Sequence, residues 1–208
     1  MNRAALRVSG SALSWLLFVF TFTLLLLSAA TIVGLGGNCA TGGPFEIRAQ
    51  CPDTVTWVAP LSLPVAFVAL GIGAYVAKGF GTPLTTWAWP VTFLGYGIAF
   101  LVAAFVAGIG WGFVVCGALF VVMGAIAPVV FLRADPRRAV VGSVDLRGRR
   151  FAASPRARKV FWRNADPAPA GRLIPTAADV ARSLLIALSS SALGVLLAIL
   201  VFWAATRT

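Results

Sequence analysis

Histidine is absent from the 208 residues. That removes the side chain that titrates nearest neutrality and is the commonest metal ligand. A haem, copper or iron site needing imidazole from this chain is excluded, and nothing in the sequence calls for a cofactor or a metal. Acids are scarce as well: Glu46, Asp53, Asp135, Asp145, Asp166 and Asp179 are the six present. None of them is spaced as an evident catalytic pair. Lysine occurs at Lys78 and Lys159 alone, beside 15 arginines. That bias, with abundant Ala, Gly and Val, fits a high-GC bacterial gene. Charged residues make up 11% of the chain, against about 25% in a soluble domain.

The charges that do occur are unevenly distributed. No Asp, Glu, Lys or Arg falls within 13–35, 55–77, 79–132 or 183–206. A bilayer core takes about 20 apolar residues per helix, so these stretches read as membrane spans. The first is expected over 11–35, too long for the short apolar core of a signal peptide and therefore uncleaved. The second is expected over 57–77, with Pro60 and Pro64 near its start. The stretch 85–132 is too long for one crossing and is expected to turn at Gly108-Ile109-Gly110-Trp111-Gly112, where glycine permits a tight reversal. That divides it into spans over 87–107 and 112–132. A fifth span covers 179–205, with Thr176 and Asp179 spaced as a capping box. The expected fold is all-α: an integral membrane bundle of five transmembrane helices. Its parts are a four-helix region over 1–132 with an external loop over 36–56, a basic segment over 133–175, and the last helix within 176–208.

Arginine and lysine sort by loop, and the side richer in them stays in the cytoplasm. With the N-terminus inside, the inner segments hold 15 of the 17 basic residues, and only Arg48 and Arg207 lie outside. The chain is therefore expected in a bacterial plasma membrane, N-terminus inside and C-terminus outside. The internal segment 133–175 carries Arg147, Arg149, Arg150, Arg156, Arg158 and Lys159, followed by Phe161 and Trp162. Clustered cations and an interfacial aromatic suit contact with anionic lipid headgroups or an acidic partner. The net charge of +11 also suits nucleic acid, but no DNA- or RNA-reading motif accompanies it, so no nucleic-acid partner is expected.

The external loop places Cys39 and Cys51 in an oxidising compartment, where a disulfide would persist. Cys116 stands alone in the fourth span and reads as a small packing residue. The run Gly36-Gly37-Asn38-Cys39-Ala40-Thr41-Gly42-Gly43-Pro44, with Cys51-Pro52, resembles the external loop of uncharacterised actinobacterial multi-pass membrane proteins. The resemblance covers about 20 residues and implies topology and a bridged loop, not an activity.

Small residues recur every four positions in the spans. Gly95, Ala99, Ala103 and Ala107 form one such stripe, Ala69, Gly73 and Ala77 a second, and Ser190, Gly194 and Ala198 a third. Close backbone approach drives much of helix association in lipid, so these are packing faces, and the last could dock another subunit. No ionisable side chain lies inside a span, although ion-coupled transport usually needs one. The span hydroxyls, Thr21, Ser28, Thr31 and Ser189 among them, read as bonded to their own backbone. No small-molecule substrate is identifiable. The expected role is a non-catalytic accessory or scaffold subunit in contact with anionic lipids and other membrane subunits, not an enzyme. The alternative is a small-solute transporter or channel, and an interfacial enzyme using Asp135 or Asp145 ranks last.

A Cys39–Cys51 bridge closes a loop of about 13 residues and stabilises by roughly 3 kcal/mol. Cys39→Ser and Cys51→Ser are expected to lower the Tm equally, and the double variant no further. Additive losses in a detergent melt would show that no bond joins the two thiols.

Overall fold

The computed structural model describes residues 3–34, 53–106, 108, 110–152 and 173–206. Cys39, Cys51, Ala107, Arg156, Arg158, Lys159 and Trp162 lie outside the described residues. The described chain is all-helical, with a few isolated backbone bridges and no strand. Its elements are α1 (Arg3–Gly34), α2 (Asp53–Tyr75), α3 (Leu84–Val106), α4 (Trp111–Ala134), the short α5 (Pro136–Val141) and α6 (Ala177–Ala205). Five of these, all but α5, are long and apolar enough to cross a bilayer, which makes this a multi-pass membrane architecture.

The turn between α3 and α4 falls at Gly108, whose φ is +67°. The α6 N-terminus carries the capping box: Thr176 Oγ1 accepts from the Asp179 amide, and the Asp179 carboxylate accepts from the Thr176 amide. α1 begins eight residues earlier than charge alone suggests, because Arg3 and Arg7 are already helical. Helix α2 runs through both Pro60 and Pro64.

α1 is the centre of the bundle, with α2 along one side and α6 along the other. The approach is through small residues. A Cβ on Gly194 of α6 would lie 2.7 Å from the Leu16 carbonyl oxygen and 3.1 Å from the Phe20 amide of α1. Ser183, Ala187, Ser190 and Ala198 complete that buried face. On the other side Ala69 is fully buried, and Gly73 meets Ser14. Trp15 and Phe18 fill the space that remains, against Ala69, Leu84 and Ala187.

α3 and α4 form a hairpin with its own tight seam. A Cβ on Gly97 would come within 2.8 Å of the Val121 amide, and one on Gly124 within 2.8 Å of the Leu94 amide. Phe93, Phe100, Phe113 and Phe120 interlock beside it, with Phe93 and Phe100 each meeting Phe120 edge-on at 5.5 Å. The hairpin touches α1 over a short stretch, where Phe22 meets Tyr96 edge-on at 5.2 Å and lies over Gly95.

Span hydroxyls bond back to their own helix at Thr21, Thr31, Ser62 and Ser189. Ser28 departs from that expectation: its hydroxyl is buried and has no partner. Cys116 departs too, since it lies exposed on the outer face of α4. Only Gly117 and Gly124 of that helix, with Ala134 at its end, are buried.

Gly194→Ala is expected to lower the Tm in detergent, because backbone atoms of α1 must move, an overpacking change of about 1–3 kcal/mol. Gly71→Ala, where a Cβ meets nothing within 4 Å, is expected to leave the Tm unchanged or raise it slightly. Equal effects of the two would sink the close-approach account.

Candidate functional site

Among the described residues the polar part is assembled at one end of the bundle, and it starts from a turn. The connection between α2 and α3 uses three left-handed residues in a row of four, Lys78, Gly79 and Gly81 at φ of 50°, 79° and 76°. This turns the chain back on itself and leaves carbonyls facing away from the helices. The segment after α5 takes them up: the Ser143 amide donates to the Gly79 oxygen at 2.8 Å, and Phe80 pairs with Gly142 and Val144. Gly142 has φ +84°, and a Cβ there would strike the carbonyls of Gly79 and Gly81. Only glycine fits where the two backbones cross.

α5 begins with Asp135, whose carboxylate accepts from the Arg138 amide, and Pro136 at the first helical position. An acid followed by proline is a helix-start signal, present in the sequence as Asp135-Pro136-Arg137-Arg138. Trp87 of α3 holds α5 down by donating its indole N–H to the Ala139 oxygen at 2.7 Å.

Beyond α5 the chain makes a hairpin-like turn from Asp145 to Arg149. The Gly148 amide donates to the Asp145 carbonyl, and the Asp145 amide to the Arg149 carbonyl, both at 2.9 Å. The Asp145 carboxylate accepts from the Arg149 amide and from its Nε, each at 2.7 Å. Burial alone would raise this carboxyl's pKa. The Arg149 hydrogen bonds and charge outweigh it and hold the pKa below the usual carboxylate value. The turn is fixed to α1 by Arg7, whose guanidinium donates to the Leu146 oxygen at 3.1 Å beneath Gly148. Trp15 and Thr82 tie the same end together: the Trp15 indole donates to the Thr82 carbonyl at 2.8 Å, and the Thr82 hydroxyl donates to the Ser183 carbonyl at 3.3 Å.

The first part of the expected basic arm, 135–152, is thus a folded cap. Arg147, Arg149 and Arg150 are all exposed on it. Asp135 and Asp145, the two acids open to an interfacial catalytic reading, serve as a helix cap and a turn clamp. The stripes separate by location. Ser190, Gly194 and Ala198 are buried against α1, so that face is consumed within the chain and is not free to dock a subunit. Gly95 lies under Phe22, Ala103 is half-buried and Ala99 is exposed. The hairpin seam uses Gly97 instead, which the four-residue spacing from Gly95 misses.

Three spaces open at this end, one of about 510 Å³ between α5 and the first turns of α6, lined by Pro136, Arg137, Val180 and Leu184 among others. A cleft of about 560 Å³ lies between the first turn of α3, the last turn of α4 and α5, lined by Thr85, Thr86, Phe131, Asp135, Arg138 and Ser143, among others. A smaller, more enclosed space of about 150 Å³ lies under the α2–α3 connection, with Ser11, Ser14 and Thr82 among its walls. No protein-family model, curated protein or solved structure matches this chain.

Asp145 has a depressed pKa, so its contribution is complete above the unfolded value of about 3.9 and is lost as pH falls through the lower folded value. The protection factors of the Gly148 and Arg149 amides, measured against the intrinsic exchange rate at each pH, are expected to hold at pH 7 and to fall only below about pH 4. Asp145→Asn is expected to lower those protection factors at pH 7 by about threefold to tenfold and to flatten their pH dependence. An unchanged profile would show that the carboxylate does not hold the turn.

Proposed function

We propose that this chain is a non-catalytic accessory or scaffold subunit of a bacterial membrane-protein complex. It resides in the plasma membrane with its N-terminus and arginine-rich cap in the cytoplasm and its C-terminus outside. The observation that carries the reading is the free face of α4. This helix packs on α3 along its length and on α5 at its end. Its other side leaves Trp111, Val115, Leu119, Val122 and Ile126 exposed, each more than half accessible. A helix with one close-packed seam and one full-length apolar face can adhere to a second membrane protein without disturbing its own bundle.

The orientation draws support from the same geometry. Arg7, the 78–82 connection, the cap and the start of α6 meet at one end through direct hydrogen bonds. The cations of several separate segments therefore share one side, as retention of positive charge in the cytoplasm requires. Exposed Arg147, Arg149 and Arg150 suit an anionic leaflet. No step of chemistry is asked of Asp135 and Asp145, which hold the cap, or of Asp179, which caps α6.

Cys116 provides the test, since it stands on the proposed contact face. A short thiol-directed photocrosslinker on Cys116, in a Cys39→Ser, Cys51→Ser background, is expected to capture a discrete second membrane chain from native membranes. The same chain is expected to co-purify in mild detergent. A monodisperse monomer with neither a crosslinked product nor a co-purifying chain would overturn the proposal.

A further inference from the structure

Arg138 is half-buried, unlike its exposed neighbours Arg133 and Arg137. Its Nε is fully buried and makes no hydrogen bond. A donor buried without a partner on a charged group costs more than a neutral one, and the charge of an anion held in the cleft beside the guanidinium would offset part of that cost. The side chain lines the 560 Å³ cleft, a volume within the range of small-ligand sites. Thr85, Thr86 and Ser143 bring hydroxyls to the same walls. The first turn of α3, a 23-residue helix, also borders the cleft, and the positive end of a helix favours an anion there.

One carboxylate shares the site. Asp135 accepts from the Arg138 backbone amide at 3.3 Å as the cap of α5, so it is occupied on that side. Arg133, Arg137 and Arg138 surround it in sequence, which leaves the local balance positive. The rest of the lining sets the source of the anion. Pro83, Phe131 and Ala134 give the cleft apolar walls, and it lies where two spanning helices end. Val130, one turn before the lining residue Ala134 on the same side of α4, is exposed, a surface along which an acyl chain can run. A free anion would have no use for that surface.

We propose that this cleft binds the phosphate headgroup of one anionic phospholipid, held by the Arg138 guanidinium and the hydroxyls of Thr85 and Thr86. The site is distinct from the exposed arginines of the turn, which would attract a leaflet without selecting a single molecule.

Native mass spectrometry of the delipidated full chain in detergent tests this, with phosphatidylglycerol and phosphatidylcholine titrated separately. The wild-type chain is expected to retain one phosphatidylglycerol in clear preference to phosphatidylcholine. Arg138→Gln is expected to weaken phosphatidylglycerol retention by about tenfold, and Thr86→Val by a smaller factor. Arg137→Gln, on an exposed neighbour, is expected to leave retention unchanged. Inorganic phosphate in large excess is expected not to displace the lipid. Equal retention of the two lipids by the wild-type chain would overturn the proposal, whether or not the variants fold. So would complete displacement by phosphate, which would identify a free-anion site, or a loss in Arg137→Gln matching that in Arg138→Gln.

Discussion

The contact of α1 with α6 sets the geometry of everything else. In lipid, apolar side chains gain nothing by leaving one hydrocarbon phase for another, so helices associate by fitting closely. Gly194 lets the α6 backbone reach the Leu16 carbonyl, and Ser183, Ala187, Ser190 and Ala198 keep the seam narrow on either side. α2 approaches the opposite side of α1 through Ala69 and Gly73. Holding α1 between two helices fixes Arg7 and Trp15, and those two side chains anchor the cap turn and the α2–α3 connection.

The cap follows from a second constraint. A left-handed reversal such as 78–82 cannot satisfy its own carbonyls, and a buried backbone group left without a partner is expensive. The Gly79 oxygen accepts from Ser143, and the Thr82 oxygen from Trp15. Each bond recruits a distant part of the chain to the same end of the bundle. The cleft at Arg138 is the space left where α5 is pinned by Trp87 but does not close over the first turn of α3.

The spanning helices were legible because lipid imposes a one-dimensional rule: a run of about 20 residues without charge. Their ends were less so. Arg3 and Arg7 extend α1, because a cation near a span end can continue the helix while its head finds a polar partner. The cap left little trace in composition. Its pairing depends on Gly142 and Gly148 meeting residues more than 60 and 140 positions away, and no local period records that. Asp135-Pro136 was the one readable signal for α5. The choice of Gly97 over Gly95 for the hairpin seam was hidden for another reason: a stripe shows that a helix can be approached closely, while the partner decides which stripe is used. Arg138 was indistinguishable from its neighbours as one more positive charge, since its importance lies in a donor the fold buries without a partner.

The cap also makes an unusual junction. The chain departs the described cap at Ala152 and re-enters it at Leu173, and the Ala152 amide donates directly to the Leu173 carbonyl at 2.9 Å. Exit and entrance are thus stapled side by side. The entropic penalty of closing a loop grows only logarithmically with its length, so this one backbone bond does more than the separation in sequence to bring the cap and the approach to α6 together.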